Sequence, residues 1–65
     1  MKVIVSLRGE DYTIEADRLT ISSALQLLGL HPEVYHVVRD GELALPEASL
    51  SDGDHIRLIP VISGG

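Results

Sequence analysis

Residues 21–29 have the sequence ISSALQLLG, and this stretch decides the fold that we expect for the chain. Its apolar side chains recur at the spacing that places them on one face of an α-helix: Ile21, Ala24, Leu25 and Leu28. Thr20 and Ser22 are both candidate N-caps, and Gly29 suits the left-handed residue that ends a helix. Because so short a helix is marginal in water, we expect its apolar face to pack against a sheet.

The chain before this helix has the pattern of a β-hairpin. Residues 1–8 and 11–17 both alternate apolar with polar side chains, which is the period-two pattern of strands with one buried face. Between them, Gly9-Glu10-Asp11 is a turn signal. We therefore expect two paired strands joined by a turn at residues 9–11.

The chain after the helix has three further strand patterns, at residues 35–39, 42–45 and 55–61. Asp40-Gly41 is a strong tight-turn dipeptide between the first two, and Leu50 in the irregular segment that follows is expected to anchor in the core. The predicted order is thus β-β-α-β-β-β. One helix over one face of a mixed sheet is an α+β arrangement of two layers.

The composition excludes several classes of function. The sequence has 65 residues and no cysteine, which removes disulfides, thiolate metal sites and a cysteine nucleophile. Ten acidic residues outnumber five scattered basic ones, for a net charge of −5, so we expect no direct contact with nucleic acid or with a membrane. A protein partner with a basic face is more plausible. Without a signal peptide, a membrane-length apolar run or cysteine, the chain is expected to be a cytoplasmic single domain.

Together these features resemble the ThiS/MoaD family of prokaryotic ubiquitin-like sulfur carriers. The resemblance extends over essentially the whole chain and rests on four stretches: LGL at 28–30, DG at 40–41, LSDGDHIRL at 50–58 and VISGG at 61–65. It implies a ubiquitin-like β-grasp, in which a mixed sheet of four to five strands packs on one helix and the last strand lies parallel to the first. It also implies a β-grasp domain over residues 1–61 and a flexible Gly-Gly tail over residues 62–65.

The resemblance implies a protein co-substrate with no catalytic residues of its own. In this family an E1-like enzyme adenylates the C-terminal glycine with ATP, and sulfur then converts the carboxylate to a thiocarboxylate. On this sequence the adenylation and thiocarboxylate site is Gly65, preceded by Gly64. The implied partners are the E1-like adenylating enzyme and a sulfur-accepting synthase or tRNA thiolase. No cofactor is expected on the chain itself, and the activating enzyme consumes the ATP.

The pathway that receives the sulfur stays open. The stretch at residues 44–48 lacks the Pro-Arg followed by Trp of many thiamine-pathway carriers, and the single Pro60 differs from the paired prolines frequent in molybdopterin carriers. The short chain and the ISGG end also resemble carriers for tRNA 2-thiouridine synthesis. Two alternative functions also stay open: a protein modifier joined to lysines through Gly65, and a non-covalent interaction domain.

A docking surface is expected on the sheet face away from the helix. If the first and last strands pair, Ile4 and Ile59 become neighbours there, and Val61 extends the patch towards Ile62 and Ser63 in the tail. Three histidines match no metal motif in their spacing, so we expect no metal site: His31, His36 and His55.

Overall fold

The computed structural model describes residues 1–61 and has the predicted order of elements. The strands are β1 (Lys2–Leu7), β2 (Glu10–Glu15), β3 (Tyr35–Arg39), β4 (Glu42–Ala44) and β5 (His55–Pro60); the helix is α1 (Ile21–Leu27), and a 3₁₀ turn spans Pro32–Val34. The five strands form one sheet in the order β2-β1-β5-β3-β4. Its central pair, β1 and β5, is parallel, and the other pairs are antiparallel. The α+β, ubiquitin-like arrangement with a parallel central pair is confirmed.

The first hairpin turn is tighter than the turn that we expected at residues 9–11. Only Arg8 and Gly9 form it, and both have positive φ, 52° and 80°. That is the backbone of the two-residue turns whose twist matches antiparallel strands. Glu10 pairs with Leu7, and Asp11 also lies within β2, so the prediction of a turn at these two residues was wrong. The other strand ends agree with expectation to within one or two residues.

Helix α1 is closed at both ends by local hydrogen bonds. Thr20 Oγ1 accepts the Ser23 N–H at 3.1 Å, and Ser23 Oγ accepts the Thr20 N–H at 2.8 Å, forming a capping box. At the other end, Gly29 has φ 75° and the Leu30 N–H donates to the Leu25 carbonyl at 2.9 Å. This left-handed glycine and long-range bond are those of a Schellman motif, so the predicted C-terminal stop is confirmed.

The core lies between α1 and one face of the sheet. All buried side chains within residues 1–61 are apolar: Val3, Val5, Ile14, Leu19, Ile21, Ala24, Leu25, Val37, Leu50, Ile56 and Leu58. Leu50 is therefore the anchor that we expected, whereas Leu28 is only half-buried. Within residues 1–61, α1 covers this face alone and the opposite face of the sheet stays uncovered. We call that opposite face the outer face.

Arg39 on β3 holds the irregular segment that leads into β5. Its Nη1 donates to the Ser49 carbonyl at 2.8 Å and lies 3.5 Å from Asp54 Oδ2. The same Asp54 oxygen accepts the Ser51 N–H at 2.8 Å, and the Leu50 N–H donates to the Leu19 carbonyl. These bonds place β5 between β1 and β3.

We predict that Thr20→Ala lowers the free energy of unfolding by about 1 kcal/mol, because it removes the acceptor of the capping box. Ser22→Ala is the matched control, because Ser22 lies inside the first turn and its hydroxyl takes no part in the box. Urea unfolding followed by circular dichroism measures both. Equal losses for the two variants would contradict the assignment of Thr20 as the cap.

Candidate functional site

The register of β3, β4 and β5 collects apolar side chains on the outer face. Ile59 on β5 lies opposite His36 on β3. Val38, two residues further along β3, lies between Arg57 on β5 and Leu43 on β4. Since residues paired across neighbouring strands point to the same face, these five side chains share one region of the outer face.

Leu45 extends this region at the edge of the sheet. It lines one groove together with His36 and Leu43. Leu43 is 71% exposed, Leu45 66% and Ile59 41%, so large apolar side chains face solvent side by side. We call Val38, Leu43, Leu45 and Ile59 the outer apolar patch. Exposed apolar clusters of this kind mark interaction sites.

The outer apolar patch overlaps only in part with the surface that the sequence predicts. Ile4 pairs with His55 at the start of β5, and β1 ends at Leu7, opposite Leu58, before it reaches Ile59. Ile4 and Ile59 are thus four residues apart along the strands, about 13 Å at the usual rise. The prediction that these two isoleucines are neighbours was wrong, because a parallel pair can form in several registers and the pattern alone does not select one.

Three members of the patch were missed in the sequence: Val38, Leu43 and Leu45. They lie in the strand patterns at residues 35–39 and 42–45, which the sequence analysis links to no function. The available signal was the triplet Leu43-Ala44-Leu45, in which alternation turns the small Ala44 towards Val37 and the core and leaves the two leucines outside. A strand with its small residue inside and its large apolar residues outside is unusual for a solvated edge.

The other half of the outer face carries a polar contact across three strands. Ser6 Oγ on β1 donates to Asp11 Oδ1 on β2 at 2.5 Å and also lies 2.5 Å from His55 Nε2 on β5. Since the hydroxyl proton is directed at Asp11, His55 serves as the donor to Ser6 rather than as its base. A serine nucleophile needs the opposite polarity, so this contact ties the strands together without activating Ser6.

Tyr12 is held in its neutral form at the edge of the sheet. Its hydroxyl donates to Glu10 Oε2 at 2.8 Å. This hydrogen bond, and next the negative charge of Glu10, raise the pKa of Tyr12 above its ordinary value of 10.0. The phenol therefore remains a hydrogen-bond donor at neutral pH and is not poised to act as a base.

The last described residue of the chain is anchored to the sheet. The Val61 N–H donates to the Val34 carbonyl at 2.9 Å, just beyond the Tyr35–Pro60 pair. Since bonds to β3 alternate along β5, the Pro60 nitrogen faces the opposite side, where β1 has already ended at Leu7. A proline is tolerated there because no ladder hydrogen bond is lost.

The predicted reactive end follows this anchor directly. Val61 is 40% exposed. The expected docking residues Ile62 and Ser63, and the expected reactive residues Gly64 and Gly65, lie outside the described residues. Their assigned roles, and the flexible tail at residues 62–65, therefore stay predictions.

The metal-ligating side chains of residues 1–61 are spread over the fold. Within that part of the chain, no three of them come together as a candidate metal site: His31 precedes the 3₁₀ turn, His36 lies on β3 and His55 on β5. The same residues contain no helix with the length and apolar composition needed to cross a membrane.

Comparison with known proteins links this geometry to one family. The model of the ThiS family matches residues 3–65. Among solved structures, SAMP1 from Haloferax volcanii is 24% identical over the full length of both chains, with a TM-score of 0.75. The thiamine biosynthesis protein ThiS from Geobacter metallireducens is 22% identical, with 95% of this chain and 99% of that one covered and a TM-score of 0.66.

A third structure extends the likeness to ubiquitin itself. The ubiquitin of Caldiarchaeum subterraneum is 20% identical over 100% of this chain and 98% of its own, with a TM-score of 0.69. No curated protein matched the sequence. At these identities the structural likenesses show a shared β-grasp fold.

We predict that the Val61 amide exchanges with solvent at least about tenfold more slowly than the Thr13 amide, a difference of ~1.4 kcal/mol in opening free energy. The Thr13 N–H is the control: the Ala16–Met1 bond sets the alternation along β2, so this N–H points to the free edge of the sheet. Hydrogen exchange followed by NMR measures both rates. Equal rates would mean that the chain is released before Val61.

Proposed function

We propose that this chain, which belongs to the ThiS family, is a sulfur carrier protein whose reactive group is the Gly65 carboxylate. An E1-like enzyme adenylates Gly65 with ATP, and sulfur then replaces the adenylate to give a thiocarboxylate. The chain acts as a protein co-substrate and supplies no catalysis of its own. The observation that carries the proposal is the extent of the family match, which runs through Gly64 and Gly65 to the last residue.

The chemistry explains why glycines stand at this end. A carboxylate is a poor electrophile, whereas its mixed anhydride with AMP has a good leaving group. A sulfur nucleophile attacks the carbonyl carbon of Gly65, the new C–S bond forms, and the C–O bond to AMP breaks. The activating site must enclose the reacting carbonyl and exclude water. Gly64 and Gly65 add no side chain to the passage and allow backbone angles closed to other residues.

The anchor at Val61 supports a tight coupling between docking and chemistry. The four residues after it span at most about 14 Å when fully extended. For Gly65 to reach an enclosed active site, the body of the domain must lie against the activating enzyme. Ile59 of the outer apolar patch is two residues before Val61, so this patch is close enough to form the docking contact.

A second function uses the same activated end. The ubiquitin-like fold, shared with the Caldiarchaeum subterraneum ubiquitin, favours a protein modifier in which Gly65 is transferred to lysines of other proteins. A non-covalent interaction domain would instead use the patch alone, and removal of Gly64 and Gly65 would then leave its function intact. Intact mass separates these functions, because only the carrier gains the mass of sulfur in exchange for oxygen.

The receiving pathway is thiamine, molybdopterin or tRNA 2-thiouridine synthesis. The corresponding partner is a sulfur-accepting synthase or a tRNA thiolase. We place the reaction in the cytoplasm, where the ATP that the activating enzyme consumes is available. The chain itself binds no cofactor in this scheme.

We predict that Gly65→Ala abolishes formation of both the adenylate and the thiocarboxylate, because a methyl group would stand beside the attacked carbon. The free energy of unfolding should change by less than about 0.5 kcal/mol, since the substitution lies beyond the β-strands. Intact-mass spectrometry after incubation with the activating enzyme, ATP and a sulfur donor measures the products. A variant that is activated as well as the parent would refute the role of this carboxylate.

We predict that Leu43→Asp and Ile59→Asp each weaken binding to the activating enzyme at least about tenfold, because a charge would be buried in an apolar contact. Ile4→Asp is the matched control: the same substitution on the same face but outside the outer apolar patch. Calorimetric titration measures affinity, and circular dichroism checks that each variant is folded. If Ile4→Asp weakens binding as much as Leu43→Asp, the contact does not centre on this patch.

A further inference from the structure

Lys2 is the only lysine in the sequence. The other four basic residues are all arginines: Arg8, Arg18, Arg39 and Arg57. A guanidinium group stays protonated and does not act as a nucleophile in proteins, whereas a lysine amine does when it loses its proton. The Met1 amine is engaged with the Ala16 carbonyl at 2.6 Å. Lys2 therefore carries the one side-chain amine of this chain that could attack an activated carboxyl group.

The Lys2 side chain is available to a partner. Lys2 is exposed at the beginning of β1, on the outer face opposite Glu15. Its backbone N–H is bonded to Asp52 Oδ1 at 2.7 Å, which fixes the main chain at this point. Within residues 1–61, the ion pair present joins Arg39 to Asp54 and leaves the ammonium group of Lys2 uninvolved.

The parallel central pair separates Lys2 from the chain's own reactive end. Ile4 is level with His55, so Lys2 and Val61 are eight residues apart along the strand direction, about 26 Å. The four residues after Val61 cover at most about 14 Å, and a lysine side chain does not bridge the remainder. Gly65 therefore cannot reach Lys2 of the same molecule, although it can reach Lys2 of another copy.

We propose that Lys2 is a modification site at which a second copy of this chain is joined through its Gly65 carboxyl group, giving unbranched chains of a single linkage. The inference rests on the proposed activation of Gly65. The Lys2 amine attacks the carbonyl carbon of the Gly65 adenylate, so a C–N bond forms, the C–O bond to AMP breaks and AMP leaves. The amine loses one proton to solvent, and each bond consumes one ATP, with release of pyrophosphate and AMP.

The arginine at the opposite end gives a matched comparison. Arg8 follows Leu7, the partner of Leu58, and lies at the end of the sheet from which residues 62–65 continue. An amine placed there by Arg8→Lys would be within reach of the same molecule's Gly65. Compared with a lysine at position 8, arginine has the same positive charge but no nucleophilic amine. It therefore protects the activated Gly65 from attack by its own chain.

The test uses the full-length chain, the activating enzyme and ATP, without a sulfur donor. The parent should give products spaced by 7.0 kDa, and trypsin should leave the remnant LIPVISGG, residues 58–65, on Lys2 alone. Lys2→Arg should lose these products entirely while still forming the adenylate. Arg8→Lys should give a cyclic monomer that is lighter by one water than the linear form of the same variant, and the parent should give no such cyclic species.

The outcomes separate this inference from the function on which it rests. Adenylate formation without a remnant on Lys2 in the parent, or persistence of the products in Lys2→Arg, would overturn the inference and leave the carrier function standing. Absence of the adenylate itself would instead count against the activation of Gly65. A cyclic monomer in the parent would contradict the distance argument directly.

Discussion

The burial of one short apolar stripe against two parallel strands is the contact on which the rest of the structure depends. Ile21, Ala24 and Leu25 are buried in the same core cluster as the inward side chains of β1 and β5. Helix α1 has seven residues and would not persist without this contact, despite its capping box and its glycine stop. A domain this small buries only about 60% of its unfolded surface, so a large exposed face is expected.

The outer face is exposed because helix α1 packs on the opposite face of the sheet. Neighbouring strands bring Val38, Leu43 and Ile59 together there, beside a region where Ser6 is hydrogen-bonded to both Asp11 and His55. The apolar half has the character of a contact surface, and the polar half ties three strands together. Neither encloses a volume in which a reaction could be shielded from water.

The parallel pairing of β1 with β5 gives the domain two distinct ends. The beginning of β1, with Lys2, lies at one end, and the chain leaves β5 after Pro60 at the other. The Val61–Val34 hydrogen bond holds the main chain in place up to the point of departure. In our proposal the reactive carboxyl group of Gly65 follows this point in the sequence. The topology that builds the core would then also keep the activated end apart from the amine of Lys2 in the same chain.

Local patterns in the sequence were sufficient to predict the helix, the five strands, much of the core and the family. Hydrophobic periodicity located α1 and all five strands, the dipeptide Asp40-Gly41 located a turn, and Leu50 was placed correctly in the core. These features depend on local backbone preferences and on which side chains avoid water. Both properties follow from the residue types within a short segment of the chain. The turn at Arg8 and Gly9 was misplaced by reading Glu10 and Asp11 as loop residues when they are solvated strand residues.

The grouping of side chains on the outer face could not be predicted from the sequence, because it depends on strand pairing. The offset between β1 and β5 separates Ile4 from Ile59, and the pairing of β4 with β3 brings Leu43 to Val38 instead. Alternation assigns a residue to a face, but the position along that face depends on the register between strands distant in sequence. That register is set by how the whole core fits together, and no local pattern contains it.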